Sequence, residues 1–233
     1  MITGANRGIG LETARQLGEL DYTVLVGSRD KDKGESAAAS LKRDGIDAHF
    51  IQIDPTNKFG VSKAVSTVEE KYGLLDVLIN NAGIFLDADK TSPSKVSTSV
   101  LQDTYAVNVF GVHEVMISFW NLLNKSKAAR VVIVSSGLGS LTLHTNGAFG
   151  DFQFIGYDSL KAAVNMMTIH YAHEWKNTPH RVNTIHPGSV KTDMNKGGGL
   201  SVEEGAKTSV SLATIGADDP NGGFFHLGET VPW

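Results

Sequence analysis

Short, nearly continuous apolar runs alternate along the chain with longer stretches of helical periodicity. Tyr22–Ser28 (YTVLVGS), His49–Ile53 (HFIQI), Leu75–Asn80 (LDVLIN), Arg130–Ser135 (RVVIVS) and Arg181–His186 (RVNTIH) read as strands. Several place apolar residues at successive positions, as strands buried on both faces do. The segments between them, 9–20, 31–44, 57–72, 99–124, 157–176 and 201–214, read as helices; in the first, Leu11, Ala14, Leu17 and Leu20 recur at a helical spacing. This alternation predicts a doubly wound α/β domain, with a mainly parallel sheet of about seven strands, right-handed crossovers and helices on both faces. The opening strand stands apart. A central strand takes about five or six residues, and only Met1-Ile2-Thr3 precede the first glycine turn. Either this strand is unusually short or the chain begins late.

Lys90–Ser99 (KTSPSKVSTS), the Gly- and Asn-containing stretch Gly137–Gly156, and Gly197-Gly198-Gly199 read as loops. Repeats, low-complexity tails and composition breaks are absent, so residues 1–233 are expected to form one domain. Its length suits a sizeable core without staples. The chain holds no cysteine, which excludes disulfides, thiolate nucleophiles and Cys-ligated metals. Lys and Arg number 21 against 25 acidic residues, a net charge of −4 with both signs interspersed. Such a chain offers no basic stripe for nucleic acid or membrane, and neither is expected as a partner. The N-terminus shows neither a basic n-region nor an apolar h-region, and no stretch reads as the ~18 apolar residues of a membrane span. The expected location is the cytoplasm.

Four clusters carry chemistry. Thr3-Gly4-Ala5-Asn6-Arg7-Gly8-Ile9-Gly10 is a glycine turn leading into a helix. Its glycines allow a tight turn and close approach of a pyrophosphate, and the helix N-terminus supplies free N–H groups. Some twenty residues on, the second strand ends at Gly27-Ser28-Arg29. A fold preferring NAD sets an acid there for the ribose; Ser28 and Arg29 instead suit a 2′-phosphate, with Arg7 as a second cation. The expected cofactor is therefore NADP(H) in a Rossmann-type domain. Tyr157 and Lys161 stand at i, i+4 on one helix face, where an ammonium can lower a phenol's pKa towards neutrality. Ser135-Ser136 closes the strand RVVIVSS, at the sheet edge where open α/β folds bind ligands. Ser136 can hold a carbonyl oxygen or simply cap a turn.

Taken together with Asn80-Asn81-Ala82-Gly83, Asn108 and Pro187-Gly188, in this order and spacing, the pattern resembles the short-chain dehydrogenase/reductase superfamily, in its single-domain branch. The resemblance runs from residue 1 to 233. The stretch from Thr192-Asp193-Met194 through Gly197–Gly199 to Ala206 is similar to its carbonyl-reductase-like members. The resemblance implies NADPH-dependent reduction of a ketone or aldehyde, with Tyr157 as general acid. It implies that Lys161 binds the nicotinamide ribose and lowers the Tyr157 pKa, that Ser136 bonds the substrate oxygen, and that Asn108 positions a water for proton relay. It also implies that Asp54, Asn81, Ala82 and Gly83 line the adenosine side, and that Pro187, Gly188, Val190 and Thr192 cover the nicotinamide.

Three departures qualify it. Pro55 follows Asp54 and removes a backbone donor. Ser136 and Tyr157 are 21 residues apart, longer than is common in the family. The added loop carries Leu141, Leu143, Phe149, Phe152 and Phe154 and is expected to border the substrate site. The segment after Thr192 is short and glycine-rich, which predicts a small lid. The expected substrate pocket comprises Leu138, Phe149, Phe154, Ser189 and Met194, which favours a partly apolar carbonyl compound. His170, His173 and Glu174 do not form a zinc motif, and no metal is expected. The alternatives are an alcohol, hydroxysteroid or sugar-alcohol dehydrogenase working oxidatively, and a dinucleotide-binding redox sensor. Family resemblance favours a dimer or tetramer through the helices holding Asn108 and Tyr157, with a monomer left open by the longer loop.

Overall fold

The computed structural model describes residues 1–87, 92–150 and 153–233. Lys90 and Thr91 of the first expected loop, and Phe152 of the aromatic loop, lie outside the described residues. The five apolar runs become parallel strands β1 (Val24–Ser28), β2 (Ala48–Gln52), β3 (Val77–Asn80), β4 (Arg130–Val134) and β5 (Arg181–Ile185). The short β6 (Phe224–His226) adds in parallel to β5, and β7 (Glu229–Thr230) returns antiparallel on β6.

Ile2 joins these strands into one sheet by bridging Val26 on one side and Ile79 on the other. Its N–H donates to Leu25 O at 3.0 Å and its carbonyl accepts from Gly27 N–H at 2.9 Å, while Thr3 N–H donates to Ile79 O at 3.0 Å. Residues 1–3 thus run as a central strand paired on both edges. The order across the sheet is β2, β1, residues 1–3, β3, β4, β5, β6, β7. The order reverses at residues 1–3, the switch point where such sheets open a crevice at their carboxyl ends.

Alternate side chains of β4 enter two separate cores, as the two-residue strand period requires. Val131 and Ile133 pack with Val115, Phe119, Leu160 and Val164 on one face. Val132 packs with Ala14, Leu17, Leu41 and Leu212 on the other. The helices that cover the faces are α1 (Gly8–Gly18), α2 (Lys31–Arg43), α3 (Lys58–Tyr72), α4 (Thr98–Tyr105), α5 (Gly111–Asn124), α6 (Leu141–Thr145), α7 (Ile155–Glu174) and α8 (Val202–Ala213).

Two expectations need correction. The run expected as one helix over 99–124 is α4 and α5 joined by a π turn at Ala106–Phe110. By length and composition this run does reach what a membrane span needs, yet half of its most apolar window lies inside the domain. Val115, Met116, Phe119, Leu122 and Leu123 fill the core, so it is a core helix. The stretch Gly137–Gly156 also contains more order than a loop. Ser136 Oγ accepts from Leu138 N–H to start a 3-10 turn, and Ser140 Oγ accepts from Leu143 N–H to start α6.

Candidate active site

A cleft of about 500 Å³ opens at the carboxyl ends of residues 1–3, β1, β3 and β4. One wall is the glycine turn, with Gly4, Asn6, Arg7, Gly8, Ile9 and Gly10. Gly4 adopts φ +65°, and a Cβ there would come within 2.9 Å of Ala82 Cα. A Cβ on Gly10 would stand 2.4 Å from Asn81 Nδ2. The turn is thus packed directly onto the segment leaving β3. Asn81 fastens it there, donating from Nδ2 to Thr3 O at 2.9 Å and to Gly4 O at 3.2 Å. Thr3 Oγ1 accepts in return from the N–H of Asn81 and Ala82. Arg7, the cap residue of α1, makes no side-chain cap, so the first N–H groups of that helix stay available beside the cleft.

Arg29 reaches the cleft, is exposed, and has no ion-pair partner among the described residues. Arg7 also lines the cleft but pairs with Asp193 Oδ2 at 2.5 Å, both side chains being largely exposed. Ser28 is buried behind the wall: its Oγ donates to Asp30 O at 2.9 Å and accepts from Asp30 N–H at 3.2 Å. Asp54 is on the wall, where its Oδ1 accepts from Thr56 N–H at 2.9 Å and Thr56 Oγ1 at 2.8 Å.

Tyr157 and Lys161 share the α7 wall of the same cleft. The Lys161 ammonium donates to Val134 O at 2.7 Å and lies 5.4 Å from the centroid of the Tyr157 ring. Burial holds the Lys161 pKa down at about 8. The Tyr157 phenol moves the other way. Burial pushes it well above the ordinary phenol range, and the charges of Asp158 and Asp87 add to the shift. Burial, which disfavours the phenolate, is the largest cause of this shift.

Ser135, not Ser136, lines the cleft, and its Oγ donates to Lys161 O at 3.3 Å. Ser136 is buried with its Oγ accepting from Leu138 N–H at 3.2 Å, and its O–H has no acceptor among the described residues. Asn108 is buried in the π turn and reaches the cleft. Its amide is engaged by Ile84, donating to Ile84 O at 2.7 Å and accepting from Ile84 N–H at 2.9 Å.

Pro187, Thr192 and Met194 line the cleft with Asn81, Ala82 and Gly83. Gly188 and Val190 do not line it and pack against residues 200–205 instead. Gly188 adopts φ +88° against Leu200, and Val190 is buried against Gly205. Ser189 is exposed, and its Oγ accepts from Asn195 Nδ2 at 3.1 Å. Of the five expected pocket residues only Met194 is on the main cleft. Leu138 lines a second recess of about 220 Å³ with His144, Ile155 and Asp158. Phe149 packs beside His144, at 5.1 Å between centroids, and Phe154 is buried edge-on against Phe85 at 5.1 Å.

Sequence reading missed Ile53, Ile84, Val107, Val134 and Val202 on the walls. Ile84 and Val134 adjoin recognised motifs, a signal that was there to use. Ile53 and Val107 likewise adjoin Asp54 and Asn108, and Val202 lies within the stretch from Thr192 to Ala206.

The profile of the short chain dehydrogenase family matches residues 1–200. A short-chain dehydrogenase/reductase 1 from Saponaria officinalis is 30% identical, over 100% of this chain and 95% of that protein. A (+)-neomenthol dehydrogenase from Arabidopsis thaliana is 30% identical, over 97% and 94%. The structure of salutaridine reductase from Papaver somniferum superposes with a TM-score of 0.83 at 27% identity, covering 97% of this chain and 98% of that one. The chain belongs to the short-chain dehydrogenase/reductase family of oxidoreductases.

Proposed function

We propose that this protein is an NADPH-dependent carbonyl reductase that converts a ketone or aldehyde to an alcohol, with Tyr157 as the proton donor. The observation that carries the reading is a half-buried phenol beside a buried ammonium, on the wall of a cleft that also holds a glycine turn leading into an uncapped helix.

The residues fit a phosphorylated dinucleotide. The glycine turn leaves no room for Cβ atoms at Gly4 and Gly10, and the N–H groups opening α1 suit a pyrophosphate. Arg29, with no acidic partner among the described residues, suits a 2′-phosphate. NADPH, when bound, supplies the hydride that adds to the carbonyl carbon. Tyr157 gives its O–H proton to the carbonyl oxygen, and the Lys161 ammonium, 5.4 Å from the ring centroid, favours the phenolate that this transfer leaves. Lys161 holds its charge beside the ring and orients ribose hydroxyls. Ser136 keeps a free O–H for the substrate oxygen. Met194, Ile84 and Val107 give the cleft apolar surface for a partly apolar substrate, in keeping with relatives named as a neomenthol dehydrogenase and a salutaridine reductase.

The test is NADPH and NADH oxidation against menthone, benzil and 4-nitrobenzaldehyde. NADPH-selective turnover of any of them is expected. Equal use of both cofactors would remove the phosphate assignment, and no turnover at all would remove the reductase reading.

Self-association through the helices of Asn108 and Tyr157 is part of the same proposal. Phe110 (64% exposed), Ile117 (48%) and Met166 (55%) leave apolar surface uncovered there. Sedimentation is expected to give a dimer or tetramer; a single species at the chain mass of 24.9 kDa would overturn it.

A further inference from the structure

Asp87 belongs to none of the motifs and is not on the cleft wall, yet it is a buried carboxylate, 7% exposed. Its Oδ2 accepts from the backbone N–H of Gly156 at 2.7 Å and of Tyr157 at 3.3 Å. These donors belong to the first turn of α7 and have no partner within the helix. The cap residue Phe154 makes no side-chain cap. The cap is therefore delivered from a segment about seventy residues earlier, the one that leaves β3. Gly156 allows the approach, since a Cβ there would stand only 3.0 Å from Asp87 Oδ2.

The same segment meets Tyr157 a second time. The Phe85 ring packs on the Tyr157 ring at 4.5 Å between centroids, tilted by 49°. Its upstream end is held in turn, because Ile84 is bonded on both sides by the Asn108 amide. Residues 84–87 thus form a brace. One end is fixed to the π turn that carries Asn108, the middle lies on the Tyr157 ring, and the far end holds the Tyr157 backbone.

We propose that Asp87 is a positioning residue for Tyr157, setting where the phenol stands relative to Asn108 and the cleft. This rests on the reading of Tyr157 as proton donor. A displacement of about 1 Å can cost up to ~10²-fold in rate without touching binding of the remaining groups. A cap that merely stabilised the domain would instead lower activity and cofactor affinity together.

The experiment compares wild type, Y157F, D87A and D87N in NADPH oxidation with menthone, benzil and 4-nitrobenzaldehyde, alongside NADPH affinity by calorimetry. Asn keeps an oxygen that can accept from both N–H groups; Ala does not. The expected result is an inactive Y157F, and a D87A with kcat lowered at least ~10-fold and NADPH affinity within about twofold of wild type. D87N is expected to recover most of kcat. Should D87A fail to fold, G156A asks the same question by crowding the carboxylate, and the same loss of kcat is expected. An inactive Y157F with D87A, or G156A in its place, at wild-type kcat would overturn the positioning role and leave the donor reading intact. Parallel loss of kcat and NADPH affinity, or no recovery in D87N, would overturn it too. Turnover retained in Y157F, or no wild-type turnover, would remove the donor reading and the proposal with it.

Discussion

Asn108 and Ile84 close a two-way pair of hydrogen bonds: the Asn108 amide donates to Ile84 O at 2.7 Å and accepts from Ile84 N–H at 2.9 Å. A single side chain serves here as a neighbouring strand would. Room for it comes from Gly83, where a Cβ would stand 2.8 Å from Asn108 Oδ1. Replacing Asn108 by Leu leaves a backbone N–H and C=O without partners at the cleft edge. Stability is expected to fall by about 2 kcal/mol, since each orphaned buried group costs about 1–3 kcal/mol. Urea unfolding measures it. A variant within about 0.5 kcal/mol of wild type, the spread of ordinary surface changes, would mean that solvent replaces the amide without loss.

Tyr157→Phe removes one hydroxyl and keeps the ring that packs against Phe85. The brace and the cap at Gly156 do not depend on that hydroxyl. NADPH affinity is therefore expected to stay within a few-fold. Reduction is expected to fall by about 10²–10⁴-fold, the usual worth of general acid catalysis. Steady-state turnover with calorimetric NADPH binding separates the two effects, and near-normal turnover would exclude the phenol as proton source.

The strands were legible because buried parallel strands need little beyond apolar and β-branched residues in short runs, which are nearly continuous in β1, β3 and β4. The central position of residues 1–3 was not, because it rests on pairing at both edges with strands distant in sequence. The break between α4 and α5 was hidden for a related reason: AVNVF carries neither Gly nor Pro, and the apolar period runs through it. Tyr157, Lys161 and the glycine turn were legible because their chemistry fixes residue type and spacing. The aromatic loop misled because an apolar side chain reads the same whether it lines a pocket or fills a gap. Phe154 fills one, against Phe85. Asp87 had no signal at all, since an acid in a polar stretch reads as solvated until its partners at Gly156 and Tyr157 are seen.

Arg29 is an exposed cation on the cleft without an acidic partner among the described residues, whereas Arg7 is held by Asp193. Arg29→Asp reverses the charge where a 2′-phosphate is proposed to sit. NADPH affinity is expected to fall by about 10–100-fold, the equivalent of the ~1.5–3 kcal/mol of charged hydrogen bonds. NADH affinity is expected to change by only a few-fold. Calorimetry with both cofactors decides, and equal losses would mean that Arg29 does not read the phosphate.

Lys161 makes stability depend on pH in a calculable direction. Burial lowers its pKa to about 8 from the ordinary value of 10.5. Below pH 8 both the folded and the unfolded chain hold the proton, and the folded state bears the full penalty of a buried charge. Between pH 8 and 10.5 the folded chain has released a proton that the unfolded chain retains. Unfolding then takes up protons, so this group makes stability rise with pH, by at most about 1.36 kcal/mol per unit. Lys161→Met removes the titration and leaves the other ionisable groups to cancel in the comparison. Wild type is therefore expected to gain about 1–2 kcal/mol on the variant between pH 7.5 and 9.5, read from urea midpoints at each pH. At pH 7.5 the lost penalty is opposed by the unpaired Val134 carbonyl, which Lys161 otherwise satisfies at 2.7 Å, so the absolute difference there is expected to be small. The change with pH is the informative quantity. Parallel curves for the two proteins would mean that water reaches the ammonium and that the cleft does not desolvate the pair at Tyr157 and Lys161.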